Sequence, residues 1–142
     1  MSVRFKIKSL KREIRILGFD DSPFTKDKNK SCMVVGCIFR GGSFLDGIVS
    51  CKVRVDGNDA TKKISKLVNG SKHRDQLKII MFDGIAVAGF NIIDIQDLWQ
   101  KTGLPVIVVI RYYPNFSDIE KALRRFKDGK EKLNLIKKAG EI

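Results

Sequence analysis

Acidic side chains, histidine and cysteine are all scarce in this chain, whose 142 residues hold 16 Asp and Glu against 28 Lys and Arg, with one His and three Cys. Cys32, Cys37 and Cys51 are odd in number and include no CxxC pair, so neither a disulfide framework nor a zinc site follows from them. Cys37 and Cys51 lie in strand-like runs, where a free thiol behaves as a small apolar side chain. The lone histidine, His73, sits in the charged stretch Ser71-Lys72-His73-Arg74-Asp75, the setting of a solvated loop residue more than of a catalytic base. No apolar run approaches the roughly 20 residues of a membrane span. Met1 to Arg15 is charged throughout, unlike a signal peptide, so a cytoplasmic protein without a membrane partner is expected. Internal repeats and low-complexity linkers are missing as well.

A hydrophobic content of 43% is enough for one well-filled core, and a single domain over residues 1–142 is expected. The formal net charge of +12 and pI ≈ 9.8 form the electrostatic footprint of a nucleic-acid binder, DNA or RNA, although a basic solubilising surface would have the same composition. Oligomeric state is open.

The central stretch runs from Leu77 to Arg111. Leu77, Ile79, Ile80, Met81 and Phe82 are apolar on both faces and stop at Asp83-Gly84, the pattern of a central strand covered by helices on both sides. Ile92, Ile93, Ile95, Leu98 and Trp99 then recur at helical spacing, Gly103 and Pro105 end that helix, and Val106 to Ile110 form a second buried strand. This is a βαβ unit, and open α/β sheets place ligands at the carboxyl ends of such strands.

Before it, residues 3–13 alternate apolar and basic side chains, as an edge strand or surface arm would. Ile14 to Phe19 predict a strand closing on Asp20-Asp21-Ser22-Pro23, and Phe24 to Ser31 a solvated loop. Met33 to Arg40 and Gly47 to Val55 read as an antiparallel hairpin joined through Gly41 to Asp46. From Ala60, Ile64, Leu67 and Val68 predict a short amphipathic helix capped by Asn58 or Asp59 and stopped by Gly70. After the central unit, Ser117 with Glu120 gives a capping-box pattern before one long basic helix carrying Lys121 to Lys138. Three antiparallel strands followed by αβαβα is the element order of the ribonuclease H-like fold: an α/β protein with a five-stranded mixed sheet whose first strand lies beside the fourth.

If those strands are neighbours, Asp20 and Asp83 meet at one edge of the sheet. Two carboxylates so placed repel unless a cation lies between them. Mg²⁺ or Mn²⁺ prefers such oxygens and can support phosphodiester displacement. Asp59 is the expected third ligand, with Asp56 and Asp21 in reserve. Each of these aspartates is also an ordinary turn or cap residue; the joint placement of two of them on predicted neighbours favours the metal site. Tyr112 and Tyr113 follow a core strand, placed to stack on a base or to pack on the last helix.

Three segments, Ile16-Leu17-Gly18-Phe19-Asp20-Asp21-Ser22-Pro23-Phe24, Val53-Arg54-Val55-Asp56-Gly57-Asn58-Asp59-Ala60-Thr61 and Phe82-Asp83-Gly84-Ile85-Ala86-Val87-Ala88-Gly89-Phe90-Asn91, resemble the motifs of the archaeal DUF99 or UPF0215 proteins. That family is similar to endonuclease V, a ribonuclease H-like, metal-dependent nuclease acting near deaminated bases. The resemblance implies that Asp20 and Asp83 match the first-strand and fourth-strand catalytic aspartates. The glutamate of endonuclease V near the first helix has only Asp59 nearby. Asn91 and Asp94 follow the Asp-Gly motif, where endonuclease V has a histidine. The chain is shorter than the proteins it resembles, as a missing final element would make it. A metal-dependent nuclease is therefore expected, with a catalytically inactive nucleic-acid-binding module of the same fold as the alternative.

Overall fold

The computed structural model describes residues 9–142, so most of the alternating stretch at 3–13 lies outside the described residues. The first three strands are β1 (Arg15–Asp21), β2 (Ser31–Arg40) and β3 (Phe44–Arg54), followed by helix α1 (Ala60–Asn69) and strand β4 (Leu77–Asp83). Next come the two-residue strands β5 (Ala86–Val87) and β6 (Asn91–Ile92), helix α2 (Ile95–Thr102), strand β7 (Val106–Val109) and helices α3 (Phe116–Leu123) and α4 (Gly129–Lys138). The main sheet has five strands in the order β3-β2-β1-β4-β7, with β2 antiparallel to β1 and β3, and β4 parallel to β1 and β7. The expected mixed sheet, with its first and fourth strands adjacent, is therefore what forms.

Alternation assigns each strand residue to a face. Leu17, Phe19, Val34, Ile38, Val53, Ile80 and Phe82 all lie on one face and are buried under Ile64 and Val68 of α1 and Leu98 of α2. Each such side chain, once fully buried, contributes about 1.5–3 kcal/mol. The Phe19 and Phe82 rings stack across β1 and β4 with centroids 5.4 Å apart. Gly36 of β2 sits under this stack: a Cβ there would come within 2.6 Å of the Phe19 ring and 2.8 Å of Leu17, so only glycine lets the layers close. The other face, where helices were equally expected, keeps Met33, Phe39, Ile48, Ile107 and Val109 exposed among the described residues.

Three local expectations differ from what forms. The long basic helix is two helices, α3 and α4. The chain turns between them, with Gly129 N–H bonded back to the Phe126 carbonyl, and a Cβ at Gly129 would collide with the Leu123 carbonyl, so the turn requires glycine. The cap of α3 is Asn115, whose side-chain oxygen accepts from Asp118 N–H at 3.3 Å, in place of the Ser117–Glu120 box. The helix expected from Ile92 starts at Ile95, capped by the Asp94 carboxylate on Asp97 N–H, because Ile85 to Ile93 are taken up by the β5–β6 hairpin. Ile92 and Ile93 alone do not distinguish a hairpin from a first helical turn.

Candidate active site

β1 and β4 run parallel and in register up to Phe19 opposite Phe82, so the next residues, Asp20 and Asp83, lie side by side at the carboxyl ends. Neighbouring strands are about 4.8 Å apart. The two carboxylates are on the face of Gly18 and Met81, opposite the helix-covered core, and both are exposed. β4 ends there because Gly84 turns at φ +82° and its N–H bonds to the Val109 carbonyl at 2.9 Å. Asp20 Oδ1 accepts from Asp21 N–H at 2.8 Å. Asp83 Oδ2 accepts from Arg111 Nη2 at 3.3 Å, from a guanidinium 77% exposed. Such a solvent-facing pair is worth about 0–1 kcal/mol, weak enough for another cation to displace.

The remaining aspartates are engaged elsewhere. Asp21 Oδ2 accepts from Ala88 N–H at 2.6 Å, and Asp56 Oδ1 accepts from Phe90 N–H at 2.8 Å. Between them they hold the β5–β6 turn, in which Ala88 has φ 48°, a left-handed conformation unusual for alanine. Asp59 accepts from Arg54 N–H at 3.1 Å, Asn91 Nδ2 at 2.8 Å and Lys63 Nζ at 2.9 Å. Burial pushes the Asp59 carboxyl up, but these donors together outweigh it and hold the group below the usual carboxylate range. Asn91, fully buried, also accepts from Ala60 N–H at 3.2 Å, capping α1 from outside the helix. Asp20 and Asp83 are thus brought together, and Asp59, with its reserves Asp56 and Asp21, holds the loops behind them. Among the described residues, no group of three or more His, Cys, Asp or Glu side chains is placed to hold a metal ion.

His73 lies against Gly47 of β3 and near Asp46, which pairs with Arg15 at 2.6 Å at the start of β1, the opposite end of the sheet from Asp20. Tyr112 and Tyr113, just past Arg111, are 86% and 77% exposed, with Tyr113 edge-on to Phe116. A cleft of about 260 Å³ opens between α1, α2 and α4, lined by Thr61, Lys62, Asp94 and Lys101, and neither edge carboxylate lines it.

Residues 12–142 match the family model described as Endonuclease dU. The chain belongs to the Endonuclease dU family. A UPF0215 protein of Methanothermobacter thermautotrophicus is 50% identical over 136 residues, which cover 95% of this chain and 67% of that protein. The chain thus spans about two thirds of the length of the curated relatives it matches. A crystal structure of an Archaeoglobus fulgidus protein of unknown function matches 90% of this chain and 71% of that one, with TM-score 0.83 and 38% identity. Ciona intestinalis endonuclease V, in complex with a 24mer DNA containing an inosine followed by a ribo-adenosine, superposes with TM-score 0.56 over 87% of this chain and 58% of its own. At 14% identity that likeness shows the fold alone: this Endonuclease dU family chain has the ribonuclease H-like fold of endonuclease V.

Two residues of this family member escaped sequence reading. Arg111 could have been found, since it directly follows the strand predicted beside Asp83. Lys132 could not. It is 2% exposed, with its ammonium on the Asp56, Gly57 and Phe90 carbonyls at 3.2, 2.5 and 2.7 Å, yet in sequence it is one lysine among many on a basic helix.

Proposed function

We propose that the chain is the sheet of a divalent-metal-dependent nuclease, with Asp20 and Asp83 holding Mg²⁺ or Mn²⁺ against a phosphodiester. The observation that carries the reading is the adjacent register of two exposed carboxylates on parallel strands. Mg²⁺ commonly binds through one or two carboxylates, completing its shell with water and substrate phosphate, so the pair fits it without Asp59. When bound, the ion would neutralise charge on the phosphate and activate water. Arg111, released from Asp83, is placed to donate to a phosphate oxygen, and Tyr112 and Tyr113 offer faces on which bases stack. The family description and the inosine DNA of the Ciona neighbour make DNA with a deaminated base the first substrate to test.

The second reading, a nucleic-acid-binding module without catalysis, is favoured by the ion pair already on Asp83 and by Asp59 being engaged elsewhere. Thermal melts separate the two. In the nuclease reading, millimolar Mn²⁺ raises the wild-type Tm, and Asp20→Asn or Asp83→Asn abolishes that rise while leaving the metal-free protein as stable or slightly more so. Cleavage of a deoxyuridine- or inosine-containing oligonucleotide is lost in the same variants. An unchanged Tm in Mn²⁺ supports the binding module. Both readings require polynucleotide binding that weakens steeply with salt, about −0.9 in log K per log salt for each phosphate neutralised on duplex DNA.

A further inference from the structure

Three stretches far apart in sequence meet around the Phe90 ring. Lys26, in the loop after β1, places its ammonium 5.1 Å from the ring centroid, and Arg125, in the junction between α3 and α4, places its guanidinium 5.5 Å from it. Arg125 also lies 5.0 Å from the Phe126 ring, which is tilted against Phe90 with centroids 5.5 Å apart. The cluster is held from behind: Asp56 Oδ1 accepts from Phe90 N–H at 2.8 Å, and the buried Lys132 ammonium donates to the Phe90 carbonyl at 2.7 Å. The loop around Lys26 is itself folded, since Thr25 N–H donates to Asn29 Oδ1 and the Thr25 carbonyl accepts from Asn29 N–H, both at 2.8 Å. Both cations are exposed. Lys26 reaches one carboxylate oxygen, the already bonded Asp56 Oδ1, at 3.9 Å, and Arg125 has no carboxylate partner among the described residues. Cations steadied on aromatic rings keep their charge while losing side-chain freedom, so less ordering is left to be done when an anion binds. The cluster stands at the end of the sheet that carries the edge carboxylates: Ala88, two residues before Phe90, gives its N–H to Asp21, the neighbour of Asp20. β2 begins and β3 ends there too, and the exposed Lys30 and Arg54 line a depression of about 430 Å³ together with Asp56 and Asp128.

We propose that Lys26 and Arg125 seat the backbone phosphates of a polynucleotide strand beside the edge carboxylates, with Phe90 and Phe126 as the rings that hold the two cations in place. This rests on the nucleic-acid binding common to both readings above, and on neither metal nor cleavage. Arg125 offers phosphate oxygens a planar fork of donors, and Lys26 a point charge. The seat also assigns a place: the strand lies over this end of the sheet, and lysines that project singly from α4, such as Lys130 and Lys137, add net charge without holding it.

The test titrates a short fluorescein-labelled single strand containing deoxyuridine with the 142-residue chain in EDTA, following fluorescence anisotropy over a range of salt. For single strands each phosphate neutralised contributes about −0.7 to the slope of log K against log salt, about fivefold in affinity at about 0.1 M salt relative to about 1 M. The double variant Lys26→Gln with Arg125→Gln is expected to flatten the slope by at least about 0.7 and to weaken binding at least about fivefold at about 0.1 M salt, while Lys130→Gln with Lys137→Gln, which removes the same charge, changes affinity by less than about twofold. All four side chains are exposed, and circular dichroism melts check that the variants fold; the single variants Lys26→Gln and Arg125→Gln, each losing part of the affinity, serve where the double variant melts early. Equal losses in the two double variants overturn the seat, since total charge alone would then set affinity, and so does wild-type binding by Lys26→Gln with Arg125→Gln. Deoxyuridine monophosphate displacing the strand at equal concentration also overturns it and assigns the two cations to a small phosphate ligand. A wild-type chain that fails to bind the strand even at low salt defeats the nucleic-acid reading itself, which the titration thereby separates from failure of the seat alone.

Discussion

Replacing Asn91 by alanine removes one buried amide that ties three elements together. Its Nδ2 donates to the Arg54 carbonyl at the end of β3 at 2.9 Å and to Asp59 Oδ1 at 2.8 Å, and its Oδ1 accepts from Ala60 N–H at the start of α1 at 3.2 Å. A neutral buried hydrogen bond contributes about 1 kcal/mol net, one to a carboxylate about 1.5–3, and groups left without partners add a desolvation cost, so about 4 kcal/mol should be lost. Against the roughly 5–15 kcal/mol of a domain this size, that is a large fraction. Urea denaturation followed by far-ultraviolet circular dichroism measures it. Asn91→Asp keeps the shape but loses both donors and sets a second negative charge beside Asp59, so at pH 7 it should cost at least as much. A double-mutant cycle with Asp59→Ala should return a coupling of about 1–3 kcal/mol. A loss below about 1 kcal/mol for Asn91→Ala would show that the amide is solvated or redundant, and that Asp59 is free for other work.

Gly129→Ala places a methyl group on the Leu123 carbonyl, so the α3–α4 junction must shift, at about 1–3 kcal/mol of stability in thermal melts; an unchanged Tm would mean the junction gives freely. Lys132→Met leaves three partly buried carbonyls without their donor and should cost about 1–3 kcal/mol, undocking α4 and raising hydrogen exchange at Asp56, Gly57 and Phe90, whereas wild-type exchange rates there would refute the clamp. For acid, the sign follows from Asp59 and Asp94. Burial pushes both carboxyls up, but the Asp59 donors in one case, and Asp97 N–H with Lys138 in the other, hold them below their ordinary values. Their stabilisation is therefore present above the unfolded pKa of about 4 and lost as pH falls through the folded values, so Tm should be flat from neutral pH to about 5 and decline below about 4. A Tm that rises on acidification contradicts this.

Strand order and the meeting of Asp20 with Asp83 were legible in the sequence because they depend on signals that survive in isolation: apolar runs of strand length, turn pairs that stop them, and the limited ways of connecting such strands. The role of Asp59 was not legible. Asp21, Asp56 and Asp59 each precede a turn or helix, and whether such a carboxylate faces a ligand or a backbone N–H is decided by a partner far along the chain: Ala88, Phe90 and Asn91 here. The break between α3 and α4 was hidden for a similar reason, since Gly129 is tolerable inside a helical pattern and its contact with Leu123 exists only once the chain has turned. Lys132 had the composition of a surface residue and the position of a core one.

The parallel pairing of β1 with β4 has one more consequence. Because Asp20 and Asp83 follow consecutive rungs of the same backbone ladder, their separation is set by hydrogen bonds between main chains and by the Phe19–Phe82 stack beneath them, with no loop involved. The pair behaves as a fixed gauge, while Arg111, Tyr112 and Tyr113 beyond β7 are adjustable. Variation in those loop residues can retune which strand or base is presented without resetting the distance between the two charges. Conversely, a change as remote as Gly36→Ala pushes on Phe19, one residue from Asp20, and alters the gauge itself.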